Sequence, residues 1–157
     1  MRISTRTLKQ SGSLSRLTAT GSNGFLLAVL PLVLAMALWP FGGGRKVVMT
    51  SAASVPSAKG TVQINQDRNK NTQLDMKVEH LANPSALTPP AIVYVVWIQE
   101  NGQPAENKGE LRVDGNLNGE FKTVSPYKAF TVFVTAEQSP QVQSPTGEQL
   151  LTAQIAE

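Results

Sequence analysis

The stretch AIVYVVWIQ, residues 91–99, is apolar on both faces that a strand would present. Successive strand side chains point to opposite sides, so Val93, Val95 and Trp97 fall on one face and Tyr94, Val96 and Ile98 on the other. A strand of this kind needs cover on both sides, which predicts a central position. Phe130, Val132 and Val134 offer an apolar row to oppose it. Two packed sheets bury such rows, and the expected architecture is a sandwich.

The flanking sequence repeats the theme. In TQLDMKVEHL, 72–81, Leu74, Met76 and Val78 alternate with Gln73, Asp75, Lys77 and Glu79, the pattern of a strand with one wet face. TVQIN (61–65), ELRVD (110–114), EFKTV (120–124), AFTVFVTAE (129–137) and EQLLTAQIA (148–156) read as further strands. DRNKN, ANPSALTPP, ENGQPAENKG, GNLNG and SPYK separate them. Asp114-Gly115 and Asn118-Gly119 supply residues tolerant of positive φ for a hairpin, and Gly147, which permits the same, is expected to supply a turn. No stretch after Gly60 keeps a helical period. The predicted fold is all-β, an antiparallel, immunoglobulin-like β-sandwich of about seven strands, preceded by one N-terminal hydrophobic helix.

Charge divides the chain. Arg2, Arg6, Lys9, Arg16, Arg45 and Lys46 precede the first acid, Asp67, so the basic excess belongs to the leader and nucleic-acid binding is not expected. Residues 1–24 form a basic cytoplasmic or n-region, and the uncharged run Phe25 to Phe41 reads as a signal peptide or membrane anchor. Poor cleavage signals favour an uncleaved anchor, with Trp39 at the interface. Lys and Arg lie mainly before the run, which predicts an inside N-terminus and an exported remainder, either on a bacterial cell membrane or secreted to the periplasm or cell exterior. Residues 42–59, rich in Ser, Ala and Pro, read as a flexible linker, and residues 60–157 as the exported domain.

The chain has no cysteine, which excludes disulfides, thiolate metal sites and cysteine nucleophiles. His80, the one histidine, continues the row of Leu74, Met76 and Val78 and is expected to be a partly buried structural imidazole. No Gly-x-Ser-x-Gly elbow is present, and Asp75, Glu79, Glu110 and Glu120 lie on predicted wet faces. DRNKN and VDGNLNG faintly resemble calcium loops, but each holds a single acid, so turns are the better reading. No catalytic, cofactor-binding or metal-binding residue is assigned. At least one of Tyr94 and Trp97 belongs in the core. The loop from Glu137 to Pro145 serves recognition or connection, with connection expected, and Ser139, Gln143 and Thr146 are expected to be dispensable for stability.

Val95-Val96-Trp97, Gly109-Glu110-Leu111, Val134-Thr135-Ala136-Glu137 and Pro145-Thr146-Gly147, spread over about residues 90 to 155, resemble the extracytoplasmic C-terminal domain of the anti-sigma-K factor family. The resemblance implies an extracytoplasmic sensor module and carries no catalytic residue. Members of that family hold a sigma factor with a cytoplasmic domain, whereas residues 1–24 are too short and polar to build one. A membrane-tethered or exported, non-catalytic binding or sensing domain is therefore expected, with another envelope protein as partner. A structural or adhesive envelope module is the alternative.

Overall fold

The structure, a computed structural model, describes residues 44–156; the basic segment 1–24 and the apolar run 25–41 lie outside the described residues. Eight strands follow in order: β1 (Arg45–Ser51), β2 (Lys59–Gln66), β3 (Thr72–Glu79), β4 (Val93–Gln99), β5 (Glu106–Leu111), β6 (Gly119–Ser125), β7 (Phe130–Glu137) and β8 (Gln149–Ile155). A single 3-10 turn, Pro84–Ala86, interrupts the β3–β4 connection, with Asn83 capping it. Six of the seven expected strands are present near their expected bounds, and β1 is added to them; the strand expected at 110–114 instead runs Glu106–Leu111, because Glu106 to Gly109, expected as part of a connection, pair with β4.

Every pairing is antiparallel, in the order β5-β4-β7-β8-β1-β2-β3-β6. The sheet curls until its end strands β5 and β6 approach each other, giving a nearly closed barrel. Across that gap the Phe121 ring lies 3.6 Å from where a Cβ on Gly109 would sit, an ordinary van der Waals contact, so it is the backbone at φ 121° and not crowding that calls for glycine there. The Tyr127 hydroxyl bridges the same region by donating to Glu106 Oε1 at 2.5 Å.

Strand β1 corrects the linker reading of residues 42–59. Arg45 to Met49 pair with β2, and Thr50 and Ser51 pair with β8, so one strand joins the two halves of the sheet. Met49, Val55 and Ala58 are buried, and the connection after β1 packs into the core instead of trailing away from it. Ala52 N donates to Leu150 O at 2.8 Å, continuing the β8 ladder. The order also departs from immunoglobulin constant domains, where the second and fifth strands pair; here β1, β2 and β3 form a consecutive meander.

One core fills the interior. Val62, Leu74, Met76 and Val78 face Tyr94, Val96, Ile98, Val132, Val134, Leu151 and Ala153 in a single cluster. Phe130, Val132 and Val134 were expected to oppose β4. They instead lie beside it, since β4 and β7 pair directly, with Val96 opposite Val134 and Ile98 opposite Val132. Opposition comes from β2 and β3. Each fully buried aliphatic or aromatic side chain contributes about 1.5–3 kcal/mol, so this cluster is the main source of stability. The other face of β4 carries a smaller cluster of Val95, Trp97 and Phe133, the Trp97 and Phe133 rings stacked with centroids 6.4 Å apart. Both Tyr94 and Trp97 are wholly buried.

The wet face of β3 is paired in register with β6. Lys77 binds Glu120 at 2.9 Å and Lys122 binds Asp75 at 3.0 Å, so the alternation read in residues 73–79 ends in cross-strand ion pairs. These pairs are largely exposed, and each is worth at most about 1 kcal/mol.

Candidate functional site

Two regions bring polar side chains together with apolar surface. The first is the outer face of β4 and β7, where, among the described residues, no second sheet lies over Trp97 and Phe133. Cover comes from the loop between β7 and β8, whose Val142 packs on this cluster. A β-bulge explains how the loop is held. Val96 pairs with Gly109 and Trp97 with Asn107, leaving Lys108 as the extra residue and Gly109 at φ 121°. The bulge aims Asn107 at the loop, and its Nδ2 donates to Pro140 O at 3.0 Å and Val142 O at 2.8 Å. The loop is thus a strap over an apolar face, a role beyond the simple connection expected.

Its other end is fixed by Glu137, a carboxylate only 1% exposed. Trp97 Nε1 donates to Thr135 Oγ1 at 2.8 Å, and the Thr135 hydroxyl donates to Glu137 Oε1 at 2.6 Å. Thr146 N and Gly147 N donate to the same oxygen at 3.0 and 3.3 Å, and the Thr146 hydroxyl donates to Oε2. Burial raises the affinity of this carboxyl for a proton, but the bonds from Thr135, Thr146 and Gly147 outweigh it and hold Glu137 below the usual carboxylate range. The spaced residues Val134-Thr135-Ala136-Glu137 and Pro145-Thr146-Gly147 are therefore two sides of one buried polar contact. Gly147 is required by proximity, not by positive φ: a Cβ there would lie 2.4 Å from Ala136 O.

The second region is a cleft of 620 Å³ where the β1–β2 and β3–β4 connections, the β5–β6 turn and the start of β8 converge. Its buried members include Val55, Ala91 and Leu150, and its exposed members include Pro56, Pro89 and Pro90. Polar character is sparse. Ser54 Oγ donates to Glu148 Oε2 at 2.6 Å, and His80 lines the same cleft.

His80 differs from its expected placement. An uninterrupted strand would turn its side chain inward after Val78, but the residue takes φ 57° and is exposed. The left-handed step lets Leu81 enter the core, wholly buried, while Leu81 N donates to Leu117 O at 3.1 Å. Leu81 displaces the imidazole because an aliphatic side chain gains more from burial than a titratable ring. Among the described residues, His80 makes no side-chain hydrogen bond to Ser54 or Glu148, so the three groups do not form a proton relay.

The D-x-N-x-N segments behave as turns. Asp67 Oδ1 accepts from Asn69 N and Asn71 N, both at 2.8 Å, and Asp114 Oδ1 accepts from Asn116 N and Asn118 N, both at 2.9 Å. Each carboxylate is engaged by its own loop. Positive φ falls on the fourth residue of each segment, Lys70 at 66° and Leu117 at 64°, while the tolerant Gly115 and Gly119 do not use it. Among the described residues, no three His, Cys, Asp or Glu side chains come together. Glu110 pairs with Arg112 at 3.3 Å, while Glu79 is an exposed residue at the end of β3. In comparisons with known proteins, no protein-family model and no curated protein matches the chain.

Proposed function

We propose that this chain is a membrane-tethered or exported, non-catalytic binding and sensing domain, and that the cleft bordered by His80 and Glu148 is its recognition site. The observation that carries the reading is the cleft itself: 620 Å³, mainly apolar in lining, with a few polar groups on connecting segments. Ligand sites have this volume and this mixture, apolar walls for affinity and a few polar groups for orientation. Ser54 already donates to Glu148, and His80 stands apart from both, an arrangement suited to contact more than to turnover.

The tether is supported by the apolar run 25–41 and the charge asymmetry around it. The anti-sigma-K-like sensor module is supported by the motif order, and by the way Glu137 and Pro145-Thr146-Gly147 lock together. The two halves β1-β2-β3-β6 and β5-β4-β7-β8 enclose one core as the layers of a sandwich do, which supports the two-layer reading of the fold. Another envelope protein is the partner this reading implies.

Affinity recovery from envelope extract tests the reading. The wild-type chain should retain a specific protein, and Ala86→Trp, which fills the cleft from an exposed position, should lose it with its melting temperature unchanged. Recovery that ignores Ala86→Trp would place recognition elsewhere, and recovery of no specific protein would defeat the binding function.

A further inference from the structure

We propose that the cleft takes an extended segment of a partner polypeptide in which an aliphatic side chain stands next to a lysine or arginine. The inference rests on the cleft being the recognition site and adds the chemistry of its occupant. Charge is the first ground. Among the described residues, Glu148 is the one carboxylate lining the cleft, and no Lys or Arg lines it. Among the described residues Glu148 is in no ion pair, and its one side-chain donor is the neutral Ser54 hydroxyl. A cation placed there gains an unshared carboxylate whose orientation Ser54 already fixes.

Spent donors are the second ground. Leu87 N and Ala91 N both donate to Pro84 O, Ala86 N donates to Asn83 O, and Gly147 N is turned to Glu137. Pro56, Pro89 and Pro90 have no N–H to offer. Four of the amides that line the cleft are thus taken up within the fold, which favours recognition through side chains.

Apolar surface is the third ground. Leu87, half-buried, and Leu117, 41% exposed, supply aliphatic surface in the cleft above the buried Val55 and Leu150. Ile92, adjoining the lining residue Ala91, is 65% exposed and its amide is already bonded to Glu137 O. An aliphatic side chain seated among these residues would cover surface that otherwise faces water, and its basic neighbour would reach Glu148. One partner segment satisfies both features.

The test uses the full chain and three end-blocked, fluorescein-labelled peptides, ALKA, ALQA and ALEA, read by fluorescence anisotropy. The lysine peptide should bind at least tenfold more tightly than the glutamate peptide, with the glutamine peptide between them. Glu148→Gln should bring the lysine and glutamine peptides within about twofold of each other while leaving the melting temperature and glutamine-peptide affinity unchanged. Ser54→Ala, which leaves the carboxylate in place, should keep the lysine preference. Equal binding of the three peptides, binding of none, or a lysine preference that survives Glu148→Gln would each overturn the proposal. Hexylamine displacing the lysine peptide as effectively as unlabelled lysine peptide would also overturn it, in favour of a small amphipathic amine. Ala86→Trp separates the two levels. If it abolishes all peptide binding while the lysine preference is absent, the cleft is the site and only its proposed chemistry fails; if binding ignores it, the site itself is wrong.

Discussion

Thr135 donates its hydroxyl to the buried Glu137 carboxylate at 2.6 Å while accepting the Trp97 indole N–H at 2.8 Å. The threonine thus connects the outer aromatic cluster to the residue that anchors the strap. A buried carboxylate is costly without partners, and Glu137 has four donors from Thr135, Thr146 and Gly147. Its role is structural, and the strap it fixes also carries Gly147 and Glu148 to the cleft.

Removing the anchor should loosen the strap before the barrel. Glu137→Ala leaves several buried donors unsatisfied and should cost about 3–5 kcal/mol, the range for breaking a buried charged contact. Thr146→Ala should cost about 1–3 kcal/mol, because its amide keeps a partner while its hydroxyl bond is lost. Ser139→Ala and Gln143→Ala, whose side chains bond only within the exposed loop, should stay within about 0.5 kcal/mol. Urea denaturation of the four variants checks the order, and a neutral Thr146→Ala would contradict the anchoring role.

Acid should act through the same carboxylate. Its folded pKa is lowered relative to 4.5, so the stabilisation is fully present above the unfolded value and is lost as pH falls through the folded one. Stability of the wild type should therefore decline from about pH 4.5 downward. Glu106, held low by hydrogen bonds from Lys108 and Tyr127, adds to that decline. Glu137→Gln should start less stable and lose less over the same interval, measured as unfolding free energy at several pH values. Parallel curves for the two proteins would show that the titration of Glu137 is not linked to folding.

Strand β1 makes a direct statement about the limits of the folded unit. A chain beginning at Gly42 should fold, while one beginning at Gly60 should not. The shorter chain loses Met49, Val55 and Ala58 from the core and opens the pairing edges of β2 and β8. Buried Met49 and Val55 alone contribute about 1.5–3 kcal/mol each, against a total stability of about 5–15 kcal/mol. Circular dichroism and thermal melting distinguish the two, and a cooperative melt from the Gly60 chain would refute the prediction.

Two glycines provide a matched contrast. Gly147→Ala should destabilise by about 1–3 kcal/mol, since its Cβ would meet the Ala136 carbonyl at 2.4 Å and backbone must shift. Gly115→Ala has nothing within 4 Å and does not need positive φ, so it should be neutral or stabilising by up to about 1 kcal/mol through the unfolded chain. Thermal melts of the two variants suffice, and equal melting temperatures would argue against the close approach at Gly147.

Local pattern was enough to establish the strands that alternate or are apolar on both faces. Residues 72–79 and 93–98 could hardly be read otherwise, because a period of two places each side chain on a face whatever its partner is. The turns at Asp67 and Asp114 were equally legible, since their bonds run within five residues. Tertiary structure decided what depends on distant partners. RKVVMTS has only one buried residue, Met49, and becomes a strand because β8 and β2 stand on either side of it. Glu137 looks like any strand-end acid until Thr146 and Gly147 fold back onto it, and a polar group becomes buriable only when such donors arrive. The outward turn of His80 followed from competition between two neighbours for one place in the core, which Leu81 fills. The cleft formed only where the ends of several strands met, because its walls come from connections far apart in the chain, and no window of sequence contains them together.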